Sequence, residues 1–143
     1  MAAIRVLVVD GQGGGVGKVL VERLRLALGK DIFITAIGTN SLATSLMLKA
    51  GADAGATGEN AIIVNAPQAE VIMGAIGIIA ADAMLGELSP PMAHAIGSSQ
   101  ALKILVPLNR CNLQVVGIKT IPFASLIDEA VESLKLYRNQ LSG

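Results

Sequence analysis

Cysteine, histidine and tyrosine each occur once in 143 residues, and tryptophan does not occur at all. A lone Cys111 cannot close an internal disulfide and fits a reducing compartment, so the expected location is cytoplasmic. One Cys and one His do not make a set of metal ligands, and no metal site is expected. Charge is scarce as well. Only 15% of residues are charged, 11 basic against 11 acidic with no basic run, which disfavours nucleic acid as a partner. Long apolar runs are missing too: the longest stretch free of polar residues, 71–81, ends after 11 residues between Glu70 and Asp82. A bilayer span needs about 20. The opening Met1-Ala2-Ala3-Ile4-Arg5 meets Asp10 too soon for a signal peptide. A membrane partner is therefore not expected.

What is present is aliphatic. The chain is 52% hydrophobic, with a mean hydropathy of +0.63 and only 2% aromatics. Its core must be built from Ile, Val, Leu, Met and Ala, a composition that suits parallel strands buried on both faces. The surplus of apolar surface points to a homo-oligomer.

One stretch organises the rest: Asp10-Gly11-Gln12-Gly13-Gly14-Gly15-Val16-Gly17-Lys18, five glycines in the seven positions 11–17. It follows an apolar strand pattern, Ile4 to Val9, and opens a helical pattern, Val16 to Leu28. Glycines bare the backbone where it turns, and the N–H groups and dipole of the helix start favour an anion such as phosphate.

A second strand, 32–37, closes on Gly38-Thr39-Asn40. Asn40 or Ser41 then caps a helix to Ala50 whose inner face is Leu42, Ala43, Leu46 and Met47. A very short third strand fits 51–58, a short helix fits 60–66, and a fourth strand fits 70–74. Gly74-Ala75-Ile76-Gly77 opens a helix expected from Ile78 to Leu85. Ser89-Pro90 starts another helix, to Ser99. A fifth strand is expected at 103–106, a sixth at 113–117, and a last helix after Pro122. The alternation predicts one domain over 1–143, a Rossmann-like three-layer α/β fold with a mostly parallel sheet of five to six strands.

The glycine loop fails the G-x-G-x-x-G dinucleotide pattern in every register. It also fails the P-loop, since Gln12 stands at the first glycine and Val19 at the magnesium-binding hydroxyl. Gly11-x-x-x-Gly15-x-Gly17 after a first strand resembles the T-G-x-x-x-G-x-G motif of short-chain dehydrogenases, with Asp10 in place of threonine. Their Tyr-x-x-x-Lys pair is missing, because Tyr137 is followed four places on by Leu141. Over most of its length the chain resembles a family of short bacterial proteins known only as a domain of unknown function. The matching stretches are 10–17, 70–77 with Met84-Leu85-Gly86-Glu87, and 103–112. This resemblance implies a Rossmann-like fold and no activity.

In such sheets ligands lie at the carboxyl ends of the strands. That edge collects the candidate cofactor-binding residues: Asp10, Gly11, Gln12, Gly13, Gly14, Gly15, Val16 and Gly17 in the loop, Gly38, Thr39 and Asn40 after the second strand, Gly74 and Gly77 after the fourth, and Asn109. Asp10 either positions a ribose or metal, or accepts N–H bonds from its own loop. Lys18 either reaches a phosphate or points to solvent. The second strand ends with neither an acid for ribose hydroxyls nor an arginine for a 2′-phosphate, yet NAD or NADP remains the leading cofactor class among nucleotides. Cys111, beside Arg110, and His94 are the catalytic candidates. The reading favoured is a nucleotide-binding or sensor module. The alternatives are a small oxidoreductase or transferase using Cys111 or Asp10, and a structural homo-oligomer without ligand.

Overall fold

The structure, a computed structural model, describes residues 2–108 and 112–142. Five strands form one sheet: β1 (Ile4–Asp10), β2 (Ile32–Gly38), β3 (Ala54–Thr57), β4 (Val71–Ala75) and β5 (Leu102–Val106). All four pairings are parallel, in the order β3-β2-β1-β4-β5. The chain builds outward from β1 to β3, then crosses back to lay β4 on the other side of β1. The strand order thus reverses between β1 and β4, at the carboxyl end of the central strand.

Among the described residues, five α-helices cover the two faces: α1 (Gly15–Leu28), α2 (Ser41–Ala50), α3 (Glu59–Asn65), α4 (Pro90–Ser98) and α5 (Phe123–Ser142). One core layer joins Ile4, Val6, Val8, Ile34 and Met73 of the sheet to Leu20 and Leu24 of α1, Met47 of α2, and Ile127 and Leu134 of α5. The other joins Leu7, Val9, Ile37 and Ile72 to Ile62 of α3 and to Met92 and Ile96 of α4. Successive residues of β1 therefore feed opposite layers, and all of it is buried except Arg5. That is why its sequence is continuous rather than alternating in hydrophobicity. The fold is the three-layer parallel α/β sheet that the pattern predicts.

Three expectations are corrected. The segment expected as a helix over 78–85 is a short 3₁₀ turn, Ile76–Ile79, followed by tight turns. Asp82, Met84 and Leu85 all have positive φ, which no right-handed helix accommodates. Among the described residues, the segment expected as a sixth strand over 113–117 pairs with no strand. The described residues between β5 and it hold no crossover helix, and a parallel neighbour requires a crossover of a dozen residues or more. Leu102, Val115, Val116 and Ile118 consequently stay exposed. In α2, finally, Leu42 faces solvent and Thr44 is buried in its place. The Thr44 hydroxyl bridges Gly38 N–H and the carbonyls of Asn40 and Ala56, so a polar side chain there is fully bonded.

At the edge where the strands begin, Arg25 ties the helix ends together. Its guanidinium donates to the carbonyls of Gly29 (2.6 Å) and Gly51 (3.0 and 3.1 Å) and pairs with Asp53 at 2.5 Å. The same Asp53 oxygen accepts the N–H of Ile34 at 2.7 Å. Arg25→Met, which keeps the aliphatic stem and removes the donors, is expected to lower unfolding free energy by about 1–3 kcal/mol in urea titration.

Candidate functional site

The glycine loop is built around a carboxylate. Asp10, the last residue of β1, is buried. Its Oδ1 accepts the N–H of Gly11 at 2.8 Å, and its Oδ2 accepts the N–H of Gly17 at 2.6 Å. One side chain thus binds both ends of the turn, and its negative charge sits at the positive end of α1. Asp10 accepts N–H bonds from its own loop, as one of the two sequence readings has it. Gly17 is glycine because of this contact: a Cβ there would stand 2.8 Å from the Asp10 carboxylate and 2.6 Å from the Met47 sulfur. Gly14 takes a left-handed φ of 76° to turn the chain into the helix.

Half of the remaining loop donors are accounted for. The Gly14 N–H bonds the Gly11 carbonyl at 3.0 Å, and the Lys18 N–H bonds that of Gly14 at 3.1 Å. The Gln12 N–H goes to the Glu87 carboxylate at 2.9 Å. Among the described residues, the N–H groups of Gly13, Gly15 and Val16 have no acceptor. They border a cavity of about 530 Å³ lined by the loop from Asp10 to Val16, by Ala75 and Gly77 after β4, and by Met84, Leu85, Leu108 and Phe123. The lining therefore combines the backbone of a helix start with mostly apolar side chains. Leu85, 97% exposed and in a left-handed conformation, stands at its rim.

Gly38, Thr39 and Asn40 do not line this cavity, and neither do Gly74 and Lys18. Thr39 Oγ1 donates to Glu87 Oε1 at 2.7 Å, and Asn40 Nδ2 donates to the same oxygen at 2.9 Å. Asn40 Oδ1 caps α2 through the Ala43 N–H. Lys18 is exposed on α1, and His94 is exposed on α4, away from the cavity lining. Asn109 and Cys111 lie outside the described residues.

Glu87 received no role from the sequence, although it stands in one of the stretches that carry the family resemblance. Nothing in its spacing reveals it, because it meets Gln12 and Asn40 only through the turns of 80–88. Phe123 was likewise missed, because it reads as one more apolar position of α5. The three hydrogen bonds from Thr39, Gln12 and Asn40 hold the Glu87 carboxyl below the usual glutamate range.

A family model for a domain of unknown function, DUF3842, matches residues 5–139. The chain belongs to this family. No curated protein matches it. Among solved structures, the DUF3842 chain is similar to a universal stress protein in complex with cAMP, at 16% identity and a TM-score of 0.43. That match covers 75% of this chain and 98% of the other. It is also similar to a dodecameric FMN-dependent UbiX-like decarboxylase from Escherichia coli O157:H7, at 16% identity and a TM-score of 0.42, covering 91% and 75%. At this distance the two likenesses carry no functional weight. Among the described residues, no helix is long and apolar enough to cross a membrane, and no three His, Cys, Asp or Glu side chains cluster as metal ligands would.

Two outcomes test this geometry. Gly17→Ala, which drives a methyl group into Asp10 and Met47, is expected to cost about 1–3 kcal/mol in denaturant unfolding. Glu87 has a folded pKa below its unfolded value, so it stabilises the fold above the ordinary glutamate range. That contribution fades as pH falls toward the folded value. The thermal midpoints of the native protein and Glu87→Gln should accordingly differ near pH 7, and the difference should shrink as pH falls below the ordinary glutamate range.

Proposed function

We propose that this protein binds a nucleotide, with a phosphate group held by the glycine loop. The observation that carries the reading is the set of three N–H groups, those of Gly13, Gly15 and Val16, without acceptors among the described residues at the start of α1. They belong to residues that line a cavity whose other side chains are largely apolar. Backbone donors and the helix dipole favour an anion, while Leu108, Phe123, Met84 and Leu85 offer contact area for a flat, weakly polar ring. The cavity lies where the strand order reverses, the position at which open α/β sheets bind their ligands.

A binding or sensor role fits better than catalysis through Asp10, because both oxygens of that carboxylate are bonded to the loop it shapes. The exposed Leu102, Val115, Val116 and Ile118 near the open β5 edge support self-association into a homo-oligomer.

The test is a thermal-shift panel with AMP, ATP, GTP, FMN, S-adenosylmethionine, NAD, NADP and FAD. A bound nucleotide at about 100 times its dissociation constant adds roughly 2.7 kcal/mol, several degrees in a domain of this size. Gly15→Val is the control. A Cβ at Gly15 meets no atom within 4 Å, so the added side chain enters open space beside the free N–H groups without disturbing the core. The shift should vanish in that variant while it remains folded. A panel in which no nucleotide moves the midpoint overturns the reading.

A further inference from the structure

We propose that Glu87 makes the site selective for mononucleotides by stoppering the end of β2, where the second half of a dinucleotide would lie. The inference rests on the nucleotide reading above and names the ligand class within it. In doubly wound sheets a dinucleotide spans the crevice at the switch point. One ribose then reaches the residues that follow the second strand, about 20 positions beyond the glycine loop. Here those residues are Gly38, Thr39 and Asn40, and their polar groups already serve the protein.

Three donors from two segments converge on one oxygen. Thr39 Oγ1, Asn40 Nδ2 and the Gln12 N–H all bond Glu87 Oε1, at 2.7, 2.9 and 2.9 Å. Asn40 Nδ2 also bonds the Gln12 carbonyl at 3.0 Å, which joins the glycine loop directly to the end of β2. The turns of 80–88 deliver Glu87 to this point and are themselves closed. The Asp82 N–H bonds the Leu88 carbonyl at 2.8 Å, the Leu88 N–H bonds the Ala83 carbonyl at 3.2 Å, and Leu88 is fully buried. The Met84 sulfur fills the space over Gly11, where an added Cβ would meet it at 2.6 Å.

The two sides of the glycine loop are thus unequal. Toward β4, β5 and α5 it opens on the cavity; toward β2 it is covered by Met84 and Glu87, and none of Gly38, Thr39, Asn40 or Glu87 lines the cavity. A ligand part approaching β2 must break the three hydrogen bonds. A second phosphate there must also come against the Glu87 carboxylate. A ligand with one phosphate-bearing arm and one ring avoids both costs, because its phosphate reaches Gly13, Gly15 and Val16 while its ring stays on the Phe123 side.

The experiment is calorimetric titration of the full chain with AMP, ATP and FMN against NAD, NADP and FAD. It is run on the native protein, Glu87→Ala, Glu87→Gln and the loop-blocked Gly15→Val. The native protein is expected to bind at least one mononucleotide at least tenfold more tightly than any dinucleotide. Glu87→Ala should narrow that gap at least tenfold through tighter dinucleotide binding. Glu87→Gln, which keeps an acceptor oxygen but loses the charge, should fall between, and it decides the matter alone if the alanine variant does not fold. A dinucleotide bound by the native protein within threefold of the best mononucleotide overturns this inference and leaves the nucleotide reading standing. Selectivity unchanged in the folded Glu87 variants overturns the role of Glu87. Absence of binding by every nucleotide overturns both.

Discussion

The glycine loop holds its shape because one buried carboxylate accepts a hydrogen bond from each of its ends. Asp10 closes β1, and its oxygens take the N–H groups of Gly11 and Gly17. Without that bridge, a seven-residue stretch with five glycines would have little to oppose its conformational entropy. With it, the first turn of α1 is tied to the end of β1, and the N–H groups of Gly13, Gly15 and Val16, without acceptors among the described residues, belong to residues that line the cavity. The absence of a side chain at Gly17 is the other half of the same contact, since any Cβ would displace the carboxylate.

Placement of the cavity follows from topology rather than from the loop alone. The β3-β2-β1-β4-β5 order puts the loop after β4 beside the glycine loop, and α5 returns across β5 to bring Phe123 to the same edge. The turns of 80–88 then cover the β2 side. The outcome is a one-sided site, polar where α1 begins and apolar where α5 begins, in a sheet architecture with room on both sides of its switch point.

Much of this was legible in the sequence because it is local. The strand over 4–9, the glycine turn and the capped helix after Asn40 each depend on neighbours within a few residues, and each occurs where the pattern puts it. Two segments were misread for a shared reason. The residues from 78 to 85 and from 113 to 117 have the composition of a helix and a strand. Whether such apolar runs become regular structure depends on a partner surface that local pattern does not contain. Positive φ at Asp82, Met84 and Leu85 takes the first out of helix, and the short path from β5 leaves the second without a strand to pair with.

By itself the sequence determined the layer architecture, the position of the glycine loop and the residue, Asp10, that ends β1 beside it. Hydrophobic periodicity and glycine spacing act over one or two turns of chain, and they are written into consecutive residues. Only the tertiary structure decided which neighbours the loop has. Glu87 is 75 residues from Gln12 and 47 from Asn40, yet one oxygen bonds both. Such a contact exists because the fold brings two loops together at the same sheet edge, and no periodicity in the chain encodes the meeting.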